Sequence, residues 1–481
     1  MRAVRSLKYP SARAVAGAKP LLAFASALTL SACATIPAPT VGTGPASLSN
    51  YAFDQSIPTT ANAWPQAHWW QGYGDAQLAA LIEEAVADAP TLRIADARMR
   101  QAEAVAGQAG ARLAPSVSAN GSAQAARQSY NLGLPVPRGW DDNGRATLDF
   151  RWELDFWGGN RAALAAATSE AEAARVEAAA ARLVLSTSIA SAYANLSARF
   201  AEADAAKDAV AVRSRTADLM RGRRDSGLEN DGAVQRALSG KASAEAELIR
   251  AQEALTLTRH QIAALLGKGP DRSLTIAKPD VAAIAGMGAP STLPAELLGR
   301  RPDVVAARLR VEAAGKRIKV AKTAFYPNVN LVGLFGLQSL NLKNFAEADS
   351  QHGAGGLAIS LPIFQGGRLR AQYRGAEAGY DAAVGMYDET VVQALRDVAD
   401  VLASKGALTT RLARTVEAKV AAQAAWTVAR NRYEGGLASY LEVLTAEDAL
   451  IATRRAAALL DTQAFALDVA LVRALGGGFQ S

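Results

Sequence analysis

The sequence predicts a mainly α protein that carries a membrane β-barrel, built from a duplicated helix-strand-strand-helix-helix unit. Three observations predict it: an internal repeat, two helical stretches too long for a globular domain, and a strand whose faces differ in polarity. That strand lies in "ATLDFRWELDFWGG", which starts at Ala146. Side chains alternate along a strand, so Leu148, Phe150, Trp152, Leu154 and Phe156 share one face and Thr147, Asp149, Arg151, Glu153 and Asp155 the other.

The first 32 residues read as an export signal, with Arg2, Arg5, Lys8, Arg13 and Lys19, no acid, and an apolar run from Leu21 to Leu30. Leu30-Ser31-Ala32-Cys33 resembles the bacterial lipobox. Cys33 is the one cysteine of the 481 residues, so it has no internal disulfide partner, and acylation, as with palmitate, gives the thiol a use. The competing reading is an ordinary secretory signal. The formal charge of +7, from 52 basic and 45 acidic residues, owes five bases to this leader. The remainder is nearly neutral, and a nucleic-acid partner loses its electrostatic support. Beyond the leader no uncharged apolar stretch reaches about 18 residues, so a membrane crossing would be made of strands.

The repeat sets "PTLRIADARMRQAEAVAGQAGARLAPSVSANGS" beside "PDVVAARLRVEAAGKRIKVAKTAFYPNVNLVG", with Pro90 answering Pro302 and Pro115 answering Pro327 at the same spacing. Gly158 and Gly159 answer Gly366 and Gly367, and Gly227 answers Gly436. In each copy a helix opens on Pro, a position where the missing N–H costs nothing, and stops at the next Pro. The period then changes to two. Val117, Ala119, Gly121 and Ala123 alternate with Ser116, Ser118, Asn120 and Ser122; Val329, Leu331, Gly333 and Phe335 alternate with Asn328, Asn330, Val332 and Leu334, less cleanly. Strands are expected at about 115–125, 145–156, 327–337 and 354–364, with a polar loop inside each pair.

After each Gly pair comes a helix far longer than a globular domain uses. Residues 160–221 hold no proline or glycine, roughly 95 Å at 1.5 Å per residue. The second copy matches it over about 368–434, though with Gly375, Gly379, Gly385 and Gly406. Leu164, Ala167, Ala171, Ala174, Ala178, Ala181 and Leu185 step by threes and fours, a coiled-coil seam, and alanines 166, 173 and 180 lie off it. Two small-residue seams let a helix take a neighbour on each side and so close a tube. The plainer reading is an alanine-rich solvated rod.

A two-faced strand fits a barrel wall between lipid and water, and equally a half-buried strand of a soluble sandwich. The aromatic outer face and the lack of material for a second sheet favour the barrel. Four strands cannot close one alone, because about eight are needed and open edges in lipid leave backbone groups unpaired. Several chains must share a barrel, and a trimer gives twelve strands and twelve helices. Pro115, Gly159, Pro327 and Gly367 suit the strand-to-helix transitions.

With "HWWQGYGDAQLAALI", "RRPDVVAARLRVEAA", "AFYPNVNL", "LPIFQGGR" and "RYEGGLASYLEVLTAEDAL" added to the lipobox, the chain resembles the TolC-like outer membrane factors, lipoprotein branch (OprM/NodT-like). Pro90-Thr91-Leu92 departs from the family's usual acidic residue after the proline. The resemblance implies a homotrimer with a twelve-strand outer-membrane barrel, a twelve-helix periplasmic tube and an equatorial belt. It implies a passive exit duct, partnered by a periplasmic adaptor, an inner-membrane RND pump and outer-membrane lipid. The implied layout is a signal peptide at 1–32, anchor and belt segment at 33–74, first repeat at 75–269, belt segment at 270–295, second repeat at 296–475 and a tail at 476–481.

Two turns are expected at the periplasmic tip. Ser226, Gly227, Leu228, Gly435, Gly436 and Leu437 stand where the family meets its adaptor, or are plain helix connections. Glu442 and Thr445 match the positions of the family's acidic aperture ring, with Thr445 the departure, and Glu442 is otherwise a solvated helix carboxylate. Arg432 and Tyr433 lie where the family holds its aperture shut. Asp149, Arg151, Glu153 and Asp155 are expected to face the lumen. Nothing points to an enzyme, cofactor or metal: His68, His260 and His352 are scattered, and no Walker loop or G-x-S-x-G motif is present. Two other functions stay open, the outer-membrane partner of type I secretion and a non-conducting lipid-anchored scaffold.

Overall fold

The structure, a computed structural model, describes residues 36–47, 50–53, 55–57, 63–127, 139–280 and 293–480. The signal peptide, Cys33, the 128–138 part of the first loop and 281–292 lie outside the described residues. The helices are α1 (Ala76–Asp88), α2 (Pro90–Ala111), α3 (Gly159–Asp225), α4 (Asp231–Leu265), α5 (Leu293–Arg300), α6 (Pro302–Thr323), α7 (Arg368–Glu434) and α8 (Tyr440–Ala474). The strands are β1 (Ser116–Arg127), β2 (Trp140–Glu153), β3 (Asn328–Ser339) and β4 (Gln351–Ser360).

The duplication is visible in the lengths. Helices α2 and α6 are each 22 residues, β1 and β3 each 12, α3 and α7 each 67, and α4 and α8 each 35. Four glycines inside α7 leave it uninterrupted, since side-chain packing along a helix outweighs a propensity cost of about 1 kcal/mol each. Over residues 159–184 of α3 the buried positions are Ala162, Ala166, Ser169 and Ala173. The off-seam alanines 166 and 173 therefore pack within the chain, and the expected seam at Ala167, Ala171 and Ala174 stays half-buried.

The chain divides into two compact units. The first contains residues 105–168 and 312–382 and holds one antiparallel sheet in the order β1-β2-β3-β4. Its outer strands, β1 and β4, have no further partner among the described residues. Two expected boundaries are corrected. Strand β2 begins at Trp140 and not near 145, because Trp140 to Gly144 pair with Arg127 to Ala123 of β1. Strand β4 stops at Ser360 and not 364, and begins at Gln351 opposite Leu337. Pro362 has no N–H to continue the ladder.

The second unit contains residues 43–104, 169–311 and 383–481 and is helical. Its core gathers Trp69, Trp70, Tyr73, Leu78, Ile82, Ile189, Tyr193, Ile262 and Val469. Asp75 organises the core's polar edge. Its carboxylate accepts the backbone N–H groups of Gln77 and Leu78, capping α1, and accepts the Tyr193 hydroxyl at 2.8 Å and the Asp280 N–H at 3.0 Å. Burial and the Asp75 carboxylate push the Tyr193 hydroxyl well above its ordinary pKa.

Candidate functional site

The strand register sorts the sheet's two faces. Trp152, Leu331 and Leu357 lie level on one face, as do Leu148, Phe335 and Gly353. Among them Leu148, Phe335 and Leu357 are more than half exposed, an apolar surface that no described residue covers. On the other face Ser118 stands opposite Asp149, Ser116 opposite Arg151, and Glu153 opposite Asn330. The polar face is bonded laterally. Asn120 donates to the Asp149 carboxylate at 2.7 Å, Thr147 donates to the same oxygen at 2.9 Å, and Asn328 donates to Glu153 at 2.7 Å. This face combines fixed charges with hydrogen-bonding groups and contains no reactive pair.

Asp155 does not belong to that face. It lies beyond β2, and its carboxylate accepts the N–H groups of Asn160 and Arg161 at 2.9 and 3.0 Å and the Arg161 side chain at 3.1 Å. The expectation of Asp155 as a strand residue is corrected: the strand ends at Glu153, and the next acid caps α3. The four expected transitions fall at element ends. Pro115 and Pro327 directly precede β1 and β3, Gly159 opens α3, and Gly367 directly precedes α7. At Gly159 a Cβ would stand 2.6 Å from the Thr323 hydroxyl, so the turn leaves no room for a side chain.

The second candidate lies in the helical unit, where α3 turns into α4 and α7 into α8. The two turns are the same construction. Leu228 and Gly227 donate backbone N–H groups to the carbonyls of Arg223 and Arg224, and Leu437 and Gly436 donate to those of Arg432 and Tyr433. This is the Schellman pattern, with Gly227 at φ 74° and Gly436 at φ 76°. Ser226 and Gly435 donate to the carbonyls of Gly222 and Asn431, completing the last turns. Leu228 and Leu437 are left 64% and 74% exposed, an apolar knob on each turn.

Tyr433 ties the turns together. Its ring is buried and packs with Ala217, Met220, Val234 and Tyr440. Its hydroxyl donates to Glu229 at 2.9 Å, and the Arg223 guanidinium lies 4.5 Å from the ring centroid. Burial, then the bond to Glu229, pushes the Tyr433 hydroxyl up to about 12. Arg432 donates to the Leu437 carbonyl at 3.2 Å and reaches Glu442 only at 3.9 Å. Glu442 closes a capping box by accepting the Ser439 N–H at 3.1 Å, and the Thr445 hydroxyl donates to the Leu441 carbonyl. One turn further on, the fully buried Glu447 accepts the Thr216 hydroxyl at 2.7 Å and pairs with Arg213 at 3.0 Å.

Sequence analysis points to Tyr433, Arg432, Glu442 and Thr445 and leaves out the Glu229 and Arg223 that meet Tyr433, and the Arg213–Glu447 pair. Glu229, Arg223, Arg213 and Glu447 lack a local signature, since each acts across more than two hundred residues; the repeat, which aligns Gly227 with Gly436, was the available clue. Among the described residues no cluster of His, Cys, Asp or Glu is able to hold a metal ion.

Comparison with known proteins agrees with this geometry. The family described as outer membrane efflux protein matches residues 81–268 and 293–477. The fusaric acid resistance protein FusA of Burkholderia cepacia is 40% identical over 324 residues, 66% of this chain and 61% of that relative's length. The multidrug resistance outer membrane protein MdtP of Escherichia coli (strain K12) is 29% identical over 437 residues, covering 88% of this chain and 89% of MdtP. Among solved structures, the outer membrane protein VceC from Vibrio cholerae superposes with a TM-score of 0.82 at 44% identity, covering 87% of this chain and all of VceC. The chain belongs to the outer membrane efflux protein family and is an exit duct of the outer membrane.

Proposed function

We propose that three copies of this chain close one twelve-stranded barrel and one twelve-helix tube, and that the duct passively exports small molecules when a periplasmic adaptor and an inner-membrane RND pump engage it. The observation that carries the reading is the two-faced four-stranded sheet whose two edges have no partner among the described residues. An open edge in lipid leaves unpaired backbone groups at several kcal/mol each, so neighbouring copies must supply the missing strands. The half-buried alanine seam of α3 is suited to the same closure. Small-molecule cargo is supported by the relatives' names, which refer to fusaric acid and to multiple drugs.

In this reading Asp149, Arg151 and Glu153 line the barrel lumen, and the Leu228 and Leu437 knobs, flanked by Ser226, Gly227, Gly435 and Gly436, receive the adaptor. Tyr433 and Arg432 stiffen the closed tip, and Glu442 contributes to a ring at the aperture, with Thr445 replacing a second carboxylate. Cys33 carries acyl chains, including palmitate, that tether the duct to the outer membrane. The decisive test joins two measurements. In planar bilayers the protein should conduct, more so with Tyr433→Phe. Deleting its gene should sensitise cells to small toxic compounds while leaving protein export intact. A protein that never conducts is a scaffold, and a deletion that stops protein export alone makes it a secretion partner.

A further inference from the structure

We propose that the helix-side end of the sheet is a binding site for the phosphate headgroup of an anionic phospholipid of the outer membrane's inner leaflet. The proposal rests on the barrel reading above, and concerns a collar of bases beneath a belt of exposed aromatics, all within the first structural unit. Four chain segments, 105–115, 154–166, 316–327 and 361–375, carry the sheet into its helices. They contain Arg112, Arg161, Lys319, Lys322 and Arg368 among other bases, and Asp155 is their sole acid. At the opposite end of the sheet the described residues are mixed, with Asp141, Asp142, Glu347 and Asp349 against Arg127, Arg145 and Lys343. The charge asymmetry is thus a property of one rim.

The bases and aromatics meet in space. Trp157 stacks on Tyr326 at 4.8 Å between ring centroids and donates its indole N–H to the Pro327 carbonyl at 2.8 Å, which fixes the ring at the rim. Beside it, over left-handed Gly158, the Lys319 ammonium and the Arg161 guanidinium lie 3.7 and 3.6 Å from the position a Cβ would take. Arg112 and Arg368 line a cleft of about 380 Å³ together with Trp157, Tyr326 and two acids, Asp155 and Glu153, the latter holding the Asn328 amide. Asp155 neutralises only Arg161. Arg368 donates to the uncharged amides of Gln365 and Gln372, and Arg112 and Lys319 take part in no ion pair among the described residues. Phe156, Trp157, Ile363 and Phe364 are 65%, 48%, 60% and 85% exposed. Aromatic rings with one wet edge favour the membrane interface, and uncompensated bases directly beneath them favour an anionic headgroup. A phosphodiester fits these bases, and its acyl chains would lie along Phe156 and Phe364.

The test uses the purified full-length oligomer in a neutral detergent, with native mass spectrometry after exposure to equimolar palmitoyl-oleoyl phosphatidylglycerol and phosphatidylcholine. The wild type should retain phosphatidylglycerol several-fold over phosphatidylcholine. The triple variant Arg112→Gln, Lys319→Gln, Arg368→Gln should retain the two lipids about equally, because these bases supply the attraction to the anionic headgroup. Raising salt should weaken the wild-type preference in the same direction. Equal retention of both lipids by the wild type, or an unchanged preference in the triple variant, overturns the proposal. Inorganic phosphate that displaces the lipid at millimolar concentration would assign the site to free phosphate and overturn it too. Conductance of the triple variant in neutral bilayers keeps the two readings apart: a variant that conducts without lipid preference supports the lipid site, and a wild type that never conducts defeats the barrel reading itself.

Discussion

At the tip a single carboxylate, Glu442, serves a local demand that substitution separates from its proposed part in the aperture. As the third residue of α8 it accepts the Ser439 N–H. Glu442→Gln keeps an acceptor there, whereas Glu442→Ala removes it at about 1 kcal/mol. If the side chain also rings the aperture, block of the channel by hexamminecobalt(III) should weaken equally in both variants, while only the alanine variant should show faster proteolysis at the turn. Block that survives Glu442→Gln would return the residue to its capping role alone. Tyr433 makes a second case. Its Phe variant removes the hydroxyl that donates to Glu229 Oε2, so the tip should lose about 1–2 kcal/mol, read as earlier thermal release of α4 and α8. The pH dependence follows from the raised phenol. Tyr433 is neutral in both folded and unfolded chains below its ordinary value near 10, so its contribution is complete there and is lost as pH climbs towards about 12. Tyr433→Phe should flatten that alkaline loss. Glu229, its partner, was invisible to any local reading because the bond spans the two copies.

At the scale of elements the sheet makes the most direct prediction. Leu331 on β3 lies level with Trp152 and Leu357, and its neighbour Asn330 points the opposite way, towards Glu153. In a lipid-facing wall, Leu331→Arg should cost about 2–4 kcal/mol near the bilayer centre and Asn330→Arg little, measured by folding yield into phospholipid vesicles. Similar yields for both would place water on each side of the sheet. The legibility of the elements divides along the same lines. Period-two alternation points to β1, β2 and β3, the repeat supplies β4 as a return strand, and Pro and Gly mark the helix ends, because these signals are carried by the sequence itself. Strand ends were less legible: "WDDNG" has turn composition, yet Trp140 to Gly144 extend β2 because β1 supplies partners as far as Arg127. Asp155 was misread because alternation does not reveal where a strand stops. A different element prediction concerns the N-terminal segment laid on α7, where Glu377 accepts the Thr40 N–H and hydroxyl, Asp381 accepts the Gly42 N–H and Asp388 the Ala46 N–H. Burial alone would raise the Glu377 carboxyl, but the Thr40 bonds and Arg374 outweigh it and hold it below its ordinary value. A carboxyl so lowered stabilises above its unfolded pKa and loses that contribution as pH falls. Protection of the 36–47 amides from hydrogen exchange should therefore decline in acid, and Glu377→Gln should remove the decline.

At the scale of the whole molecule the argument turns on the two sheet edges. Strands β1 and β4 are 12 and 10 residues long, and neither outer edge has a partner among the described residues. Half the backbone groups of an edge strand point outward, and each one unpaired in hydrocarbon costs several kcal/mol. A lone inserted protomer would then carry a penalty far above the roughly 5–15 kcal/mol that holds an ordinary domain together. Folding of the sheet and association of the protomers should accordingly be a single event. In detergent, light scattering should give three times the protomer mass, and on heating the loss of strand signal should coincide with dissociation at a midpoint that rises with protein concentration. A sheet that outlives dissociation would mean that each edge is satisfied within its own chain, and the shared barrel would have to be abandoned.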